Sequence, residues 1–412
     1  MFSIIDKLQL RLKKFLNTDI HYVTHNGAWI LLSFGVLFIV NLATAWGFAN
    51  FLPASIYGSY KFVLTAIALI SIATLPGMEG AVIRSIAKGN DACFKRTQKI
   101  KMKWGLLGTL TGFVAAGYYF IQGNTEFVII FSLVAIFAPL MHSFRGYGAI
   151  LNAKKDFRKS SLYTIVSQTI ISVAVFSTLF LTDSLITLVT VYVFFSTAIY
   201  YFLLKRSMKL MLTKSTSESD PVSYGKHLSA LQAVGIVSTH VDTIIIWHFL
   251  GPVAVATYAF GLATTQPFQK LFKSLMELSF PKFITTDEQV LKKTLPPKVF
   301  KSTLLLAPFI IAFALVIPFL YRFLFPLYLD SIPFAQALII IFFLLPFRFF
   351  GNALASQKKI KATYVNKLVI PIIKIILSLI LIPLFGIWGA ILSLGTEKII
   401  SSTLTYIMFK RM

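Results

Sequence analysis

Ionisable residues inside apolar stretches are the positions where this sequence could perform chemistry. Asp242 lies about 14 residues into one apolar stretch, Lys374 six residues into another, and Glu397 and Lys398 near the middle of the last. A charge within a membrane is costly and usually faces a water-filled cavity or an opposite charge. The sequence leaves two interpretations open for Lys374, Glu397 and Lys398, cavity lining or a structural pair between helices. Asp242 is either a hydrogen-bonded structural carboxylate or an ion-coupling site.

A second group of charges lies near the predicted helix ends. Glu79 and Arg84 follow Pro76–Gly77, and their spacing of five is poor for a direct ion pair on one helix. A local pair and a position in a cavity both remain open for them. Arg145 and Arg348 occupy matching positions in the two halves of the chain. They are either anchors at the membrane surface or a paired rim that captures an anion through bidentate guanidinium contacts.

A third group, Lys270, Lys273 and Glu277, is spaced three and four and therefore shares one helical face. Anchoring and binding are again the two interpretations. The predicted ion-coupling residues are Asp242, Glu79, Glu277 and Glu397. The predicted binding residues for an anionic cargo are Arg84, Arg145, Lys270, Lys273, Arg348, Lys374 and Lys398.

The sequence predicts a protein that is not an enzyme. It contains no nucleotide-binding glycine loop and no cluster with metal-ligand spacing. Its single cysteine, Cys93, excludes an internal disulfide. We therefore expect no catalytic residues, no metal and no cofactor other than a coupling H⁺ or Na⁺.

The elements that position these charges are membrane-spanning helices. The chain has 412 residues, of which 57% are hydrophobic and 13% charged, about half the charged fraction of a soluble domain. Its mean hydropathy is +0.78, and its apolar stretches have the length of a bilayer crossing. We predict an all-α polytopic membrane protein. Its twelve spans lie near 28–50, 57–80, 104–121, 127–145, 162–181, 185–204, 228–249, 254–280, 302–323, 332–350, 368–384 and 388–408.

Basic residues are concentrated in the termini and in every second connection between spans. Of the 39 lysines and arginines, 34 lie in the termini or in alternate connections, whereas the opposite connections, near Pro53, Gly123, Asp183, Gly251, Leu329 and Phe385, hold almost none. By the positive-inside rule both termini are cytoplasmic. Most of the +24 net charge therefore reflects topology, and nucleic acid is not an expected partner.

The chain divides into two halves joined by a polar linker. Residues 1–27 form a cytoplasmic N-terminal segment, within which 2–16 have the pattern of an interfacial amphipathic helix. The N-terminal lobe is predicted at 28–206, the linker at 207–226 and the C-terminal lobe at 227–412. Phe144–Arg145 matches Phe347–Arg348, and Lys154–Lys155 matches Lys358–Lys359, at offsets of 203 and 204. These matches predict a parallel six-plus-six duplication, an arrangement found in transporters with a central cavity. Pro76–Gly77 and Pro267 are predicted helix breaks.

Several short motifs in the chain resemble those of a known family of membrane proteins. Asp242 is followed by an aliphatic run, then Leu250–Gly251 and an Ala/Tyr-rich helix start at Tyr258, with Gln266-Pro267-Phe268 and Phe280-Pro281 further on. The stretch from Phe51 to Tyr60 is the counterpart near the start. This pattern resembles the polysaccharide-export branch of the MOP (MATE-like) superfamily, especially the Wzx-type O-antigen flippases. Twelve spans fit that type better than the fourteen typical of the lipid II flippase.

The resemblance implies two six-helix lobes and alternating access. It implies that the protein moves an undecaprenyl-diphosphate-linked oligosaccharide from the cytoplasmic to the periplasmic leaflet of a bacterial inner membrane. The implied partners are that glycan lipid, membrane lipids, a polysaccharide polymerase and a chain-length regulator. The alternatives are a MATE-like ion-coupled multidrug exporter and a scaffold for glycan assembly. Intramembrane cations at least as numerous as acids favour an anionic cargo over a cationic drug.

Overall fold

The fold is helical throughout the part of the chain that the structure describes. The computed structural model describes residues 20–211, 221–266, 269, 272, 283–284, 286–357 and 359–412. Over these residues no strand occurs. Ten helical segments among them are long and apolar enough to cross a membrane. The predicted all-α polytopic architecture is confirmed.

Fifteen α-helices are formed by these residues. Those of the first half are α1 (Ile20–Phe51), α2 (Ala54–Ile70), α3 (Met78–Ala87), α4 (Cys93–Ile121), α5 (Thr125–Phe144), α6 (Tyr147–Ala153), α7 (Phe157–Thr178) and α8 (Leu185–Met208). Those of the second half are α9 (Pro221–Ala263), α10 (Glu288–Leu324), α11 (Ile332–Ile340), α12 (Arg348–Ser356), α13 (Ile360–Tyr364), α14 (Ile370–Phe385) and α15 (Ile387–Lys410). A π-helical turn, Val365–Val369, joins α13 to α14.

The ten segments correspond to eleven of the twelve predicted spans. Helix α9 holds both the seventh span and the start of the eighth. The chain turns between these two arms at Gly251, whose φ is 79°. The two arms of α9 lie side by side, since the Tyr258 hydroxyl donates to Asp242 at 3.1 Å. Helix α15 is the twelfth span and is not among the ten, because Glu397 and Lys398 lower its hydropathy.

The predicted break in the second span is confirmed. Helix α2 ends at Ile70, a 3₁₀ turn covers Ser71–Thr74, Leu75 adopts a left-handed conformation with φ 54°, and α3 begins at Met78. The break redirects the chain and places Glu79 in the first turn of a new helix. Pro267 lies outside the described residues, as do the predicted amphipathic helix at 2–16 and residues 212–220 of the predicted linker. The final residues of that linker, from Pro221, belong to α9.

The two halves pack closely along α2, α3 and the first arm of α9. Phe62 stacks on Trp247 with ring centroids 4.2 Å apart. The backbones approach so closely that a Cβ added to Gly58 would overlap the Pro252 carbonyl, and one added to Gly77 would overlap the Ser229 backbone. Glycine is needed at both positions because any side chain would separate the halves.

Each half of the chain contains an acid–lysine ion pair at a similar place in its order of helices. In the first half the Lys154 Nζ lies 2.6 Å from Asp91 Oδ2, at the start of the loop that precedes α7. In the second half Lys359 Nζ lies 3.2 Å from Glu288 Oε2, just before α13. Each pair ties the beginning of a long helix, α4 or α10, to the loop that follows a short one, α6 or α12. The end of the molecule that carries these basic loops is called the basic face below, and the opposite end the short-loop face.

Candidate functional site

Asp242 and Lys374 form a buried ion pair between two helices. Lys374 on α14 places its Nζ 2.8 Å from Asp242 Oδ2 on α9. The two side chains are only 7% and 3% exposed, respectively. Lys374 Nζ also donates to the Ser238 carbonyl at 2.7 Å, one turn before Asp242. The sequence left two interpretations open for Lys374, and the structure shows the second of them, an ion pair between helices.

Neutral donors complete the coordination of the Asp242 carboxylate. Ser378, one turn after Lys374, donates to Asp242 Oδ1 at 2.7 Å, and Tyr258 donates to Oδ2 at 3.1 Å. Ser378 Oγ lies 3.0 Å from Ser393 Oγ on α15. The network therefore joins both arms of α9 to α14 and α15. A buried charge is tolerated when it is paired and hydrogen-bonded in this way.

A cavity of about 370 Å³, lined by apolar as well as polar residues, lies in the second half of the chain, between α12, α14, α15, the π-helical turn and the 3₁₀ turn Ile341–Phe347. We call it the C-half cavity. Its charged lining residues, among those that the structure describes, are Arg348, Lys367, Glu397 and Lys398, three cations against one carboxylate. Amides and hydroxyls of Asn352, Asn366, Ser401, Ser402 and Thr405 also line it. Its size is that of a small-molecule site, which ranges over about 300–1,000 Å³.

Within the described part of the chain, Glu397 is the only carboxylate that lines this cavity, and it is 8% exposed. Its Oε2 lies 2.7 Å from Lys398 Nζ. This oxygen has almost no exposed surface, and the Lys398 ammonium is its partner. The carboxylate also acts electrostatically on Arg348. Glu397 is therefore charge-compensated within the cavity lining.

The first half contains a similar group of charges, and the cavity that Glu79 and Lys101 line there has a volume of only about 10 Å³. Glu79 Oε1 lies 3.4 Å from the buried Lys101 Nζ, and its carboxylate acts electrostatically on Arg145. The guanidinium of Arg145 lies 5.6 Å from the centre of the Tyr200 ring. Glu79 is thus paired with the next helix rather than with Arg84. Arg84 is exposed and lies 5.7 Å from the ring of Tyr224.

Lys61 is a further intramembrane cation, on α2. Its Nζ lies 5.3 Å from the Tyr57 ring, and no ion pair is formed by it within the described part of the chain. Tyr57 belongs to an aromatic cluster, formed with Phe48, Phe260 and Tyr328, that connects the halves near the short-loop face. Phe260 and Tyr328 are in direct ring contact, 3.9 Å apart.

The structure divides the predicted binding and ion-coupling residues into separate groups that the sequence did not distinguish. Arg348, Glu397 and Lys398 come together in the C-half cavity, whereas Asp242 and Lys374 form a separate buried network. Lys270, Lys273 and Glu277 lie outside the described residues. Sequence reasoning missed the partners Lys101, Tyr258 and Ser378, and it also missed Lys367, which it grouped with loop cations. The sequence match between Arg145 and Arg348 in the two halves was the signal that could have identified the residues around Arg348.

The fold is that of MOP superfamily transporters. An outward-facing multidrug resistance MATE family transporter superposes with a TM-score of 0.65 at 12% identity, over 95% of this chain and 94% of that one. A MOP superfamily transporter from Pyrococcus furiosus, described as having a binding pocket of reversed polarity, gives 0.65 at 13% over 95% of both chains. The lipid II flippase MurJ in an inward closed conformation gives 0.61 at 13%, over 94% and 87%.

The sequence identifies the family within this fold. The profile of the polysaccharide biosynthesis protein family matches residues 23–287, more than half of the chain. The chain belongs to the polysaccharide biosynthesis protein family. No curated protein matches its sequence. The resemblance to the polysaccharide-export branch of the MOP superfamily is confirmed, and the protein is a multi-pass membrane protein of a transporter fold rather than a catalytic enzyme.

Proposed function

We propose that the protein is a flippase for undecaprenyl-diphosphate-linked oligosaccharides, such as O-antigen repeat units. The observation that carries the proposal is the C-half cavity, where Arg348, Lys367 and Lys398 outnumber Glu397, the one carboxylate of its described lining residues. A diphosphate cannot cross hydrocarbon unaided, and fixed cations would replace its water. Membership of the polysaccharide biosynthesis family and a fold shared with a lipid II flippase support this cargo.

The direction and driving force form part of the proposal. Basic loops on one face argue for a cytoplasmic basic face, so that the glycan lipid moves toward the short-loop face of a bacterial inner membrane. A H⁺ or Na⁺ gradient would drive it, with Asp242, Glu79, Glu277 and Glu397 as candidate carriers. At Asp242 an entering cation must compete with the ammonium of Lys374, 2.8 Å from the carboxylate. A polysaccharide polymerase and a chain-length regulator are the proposed protein partners.

Proteoliposomes provide the test of cargo. A glycan lipid distributed between both leaflets is half accessible to an impermeant periodate reagent, and a flippase makes the other half accessible. We expect full oxidation with the parent protein. We expect no gain over empty liposomes with an Arg348→Ala/Lys367→Ala/Lys398→Ala variant of unchanged melting temperature.

The same liposomes test the alternative of a MATE-like multidrug exporter. Such a protein favours an acidic, aromatic pocket for cationic drugs, whereas the C-half cavity has net positive lining. Gradient-dependent movement of a cationic dye, with no movement of the glycan lipid, would establish the exporter and overturn the flippase. An imposed pH or sodium gradient identifies the coupling ion in the same experiment.

A further inference from the structure

The two repeat-related arginines lie in different surroundings. Around Arg145 the space is filled by tyrosines, with Tyr200 5.6 Å from the guanidinium and Tyr147 packed 6.1 Å from Tyr200. Tyr163 adds a further ring 6.2 Å from Tyr147. At the 203-residue offset that relates the arginines, Tyr163 corresponds to Asn366. In the second half an amide therefore stands where the first half has a ring, and the cavity is open beside Arg348.

The C-half cavity contains two kinds of binding group. Arg348, Lys367 and Lys398 offer positive charge and suit phosphate oxygens. Glu397 offers a carboxylate in the cavity lining, and its Oε2 lies 2.7 Å from Lys398 Nζ. An ionised carboxylate has about four acceptor sites on its two oxygens, so one ammonium does not use all of them. Hydroxyls of a ligand in the cavity could donate to the remaining sites.

The π-helical turn distinguishes Lys367 from the other basic residues of the basic face. Val365–Val369 interrupts the regular helix between α13 and α14, and such interruptions are frequent at functional sites. Lys367 lies at its centre and lines the cavity, as does its neighbour Asn366. Thr405 donates to Asn366 Oδ1 at 3.1 Å, and Asn366 Nδ2 donates to the Ala362 carbonyl at 3.0 Å. These bonds fix the amide beside the lysine.

We propose that the C-half cavity binds the diphosphate together with the first sugar of the lipid-linked glycan, and that Glu397 accepts hydrogen bonds from the hydroxyls of that sugar. Arg348, Lys367 and Lys398 hold the diphosphate. The proposal rests on the flippase function above and adds a division of labour to it. A volume of about 370 Å³ accommodates a headgroup of this kind but not a long glycan.

The proposal gives Glu397 a specificity role. Its carboxylate accepts hydrogen bonds from a hydroxylated or amino sugar and repels a uronic acid, whose carboxylate would face it at close range. The protein therefore transports glycans whose first sugar, next to the diphosphate, carries no acid. Acidic sugars further along the chain are unaffected, because they extend beyond the cavity.

Two short-chain probes separate the roles in a binding measurement on the purified full-length protein in nanodiscs. One is farnesyl diphosphate, and the other is farnesyl diphosphate carrying a neutral hexose. Glu397→Gln removes the repulsion between carboxylate and phosphates, so bare farnesyl diphosphate should bind as tightly as before or up to about tenfold more tightly. The hexose-linked probe should bind about tenfold more weakly, because a charged acceptor is lost.

Controls distinguish this result from a structural effect. Lys367→Ala should weaken the binding of both probes about tenfold. Lys361→Ala should change the binding of neither, because Lys361 is an exposed residue of α13 that does not line the cavity. Ser401→Ala is a second probe of the sugar side, since its hydroxyl lines the cavity without charge. It should weaken only the hexose-linked probe. Melting temperatures confirm that each variant is folded.

The decisive result is that Glu397→Gln weakens the hexose-linked probe without weakening bare farnesyl diphosphate. If both probes weaken together, or if neither changes, Glu397 does not bind the sugar and the proposed subsite is wrong. Binding of farnesyl diphosphate without that split overturns the subsite alone. Absence of any farnesyl diphosphate binding to the parent protein overturns the flippase proposal together with it.

Discussion

Lys374 Nζ lies 2.8 Å from Asp242 Oδ2, and both side chains are almost completely buried. With Ser378 and Tyr258 the pair joins both arms of α9 to α14 at one point. Both members were recognisable in the sequence as isolated intramembrane charges. Their contact explains how each charge is tolerated, because each compensates the other.

Removal of one member should destabilise the protein strongly. Lys374→Met leaves the Asp242 carboxylate buried and uncompensated, which costs about 3–5 kcal/mol. The Asp242→Asn/Lys374→Met double variant carries no net buried charge and should recover most of that loss. Thermal unfolding of the detergent-solubilised variants measures both effects. Equal melting temperatures for the single and the double variant would show that the two charges are not coupled.

The stable double variant also tests ion coupling. If Asp242 carries the coupling ion, Asp242→Asn/Lys374→Met should bind the glycan lipid normally but no longer respond to an imposed pH or sodium gradient in proteoliposomes. A normal gradient response would assign Asp242 a structural role, and Glu79, Glu277 and Glu397 would then be tested in the same way.

The repeated acid–lysine pairs should differ in strength because their acids differ in burial. The Asp91 side chain is 2% exposed and that of Glu288 is 32% exposed. Lys154→Ala should therefore cost about 1–3 kcal/mol, and Lys359→Ala less than about 1 kcal/mol, as for other exposed pairs. Glu288 also has Lys292 4.0 Å away as a second partner. Melting temperatures of the two variants give the comparison, and a larger effect at Lys359 would contradict it.

The spans and the break at Pro76–Gly77 could be predicted because they depend on local features. Hydropathy over a bilayer-length window and the backbone restrictions of proline and glycine are written in consecutive residues. The π-helical turn at Val365–Val369 has no such signature in consecutive residues.

The candidate site could be predicted only in part, because the partners of a charge are distant in sequence. Glu79 was considered beside Arg84, five residues away, but it pairs with Lys101 on the next helix. Lys367 was indistinguishable from cytoplasmic anchors such as Lys361 until the fold placed it in a cavity. The existence of intramembrane charges follows from composition, whereas their grouping requires the tertiary contacts.

Topology is testable with cysteines on a background in which Cys93 is replaced by alanine. Gly123→Cys, Asp183→Cys and Leu329→Cys lie at the short-loop face and should react with an impermeant thiol reagent in intact cells. A cysteine at Lys95, in the basic run that begins α4, should react only after permeabilisation. Reaction of the Lys95→Cys protein in intact cells would reverse the orientation that the positive charges predict.

Access through the short-loop face should be controlled by the aromatic cluster. Tyr57 contacts Phe260 and Tyr328 of the other half at ring distances of 4.8 and 6.3 Å. Loss of these two contacts by Tyr57→Ala should cost about 1–3 kcal/mol. Because the contacts exist only while the halves meet at this face, the variant should populate the open state about tenfold more.

Lys61→Cys reports this opening, because Lys61 lies directly against Tyr57. On the Cys93-free background, its reaction with an impermeant thiol reagent in intact cells should be slow and should accelerate about tenfold when Tyr57→Ala is added. Tyr118→Ala is the matched control, since that exposed tyrosine of α4 is not in the cluster. Labelling of Gly123→Cys in the same variants corrects for the amount of inserted protein. If Tyr57→Ala and Tyr118→Ala accelerate the reaction equally, the aromatic cluster does not close the short-loop face.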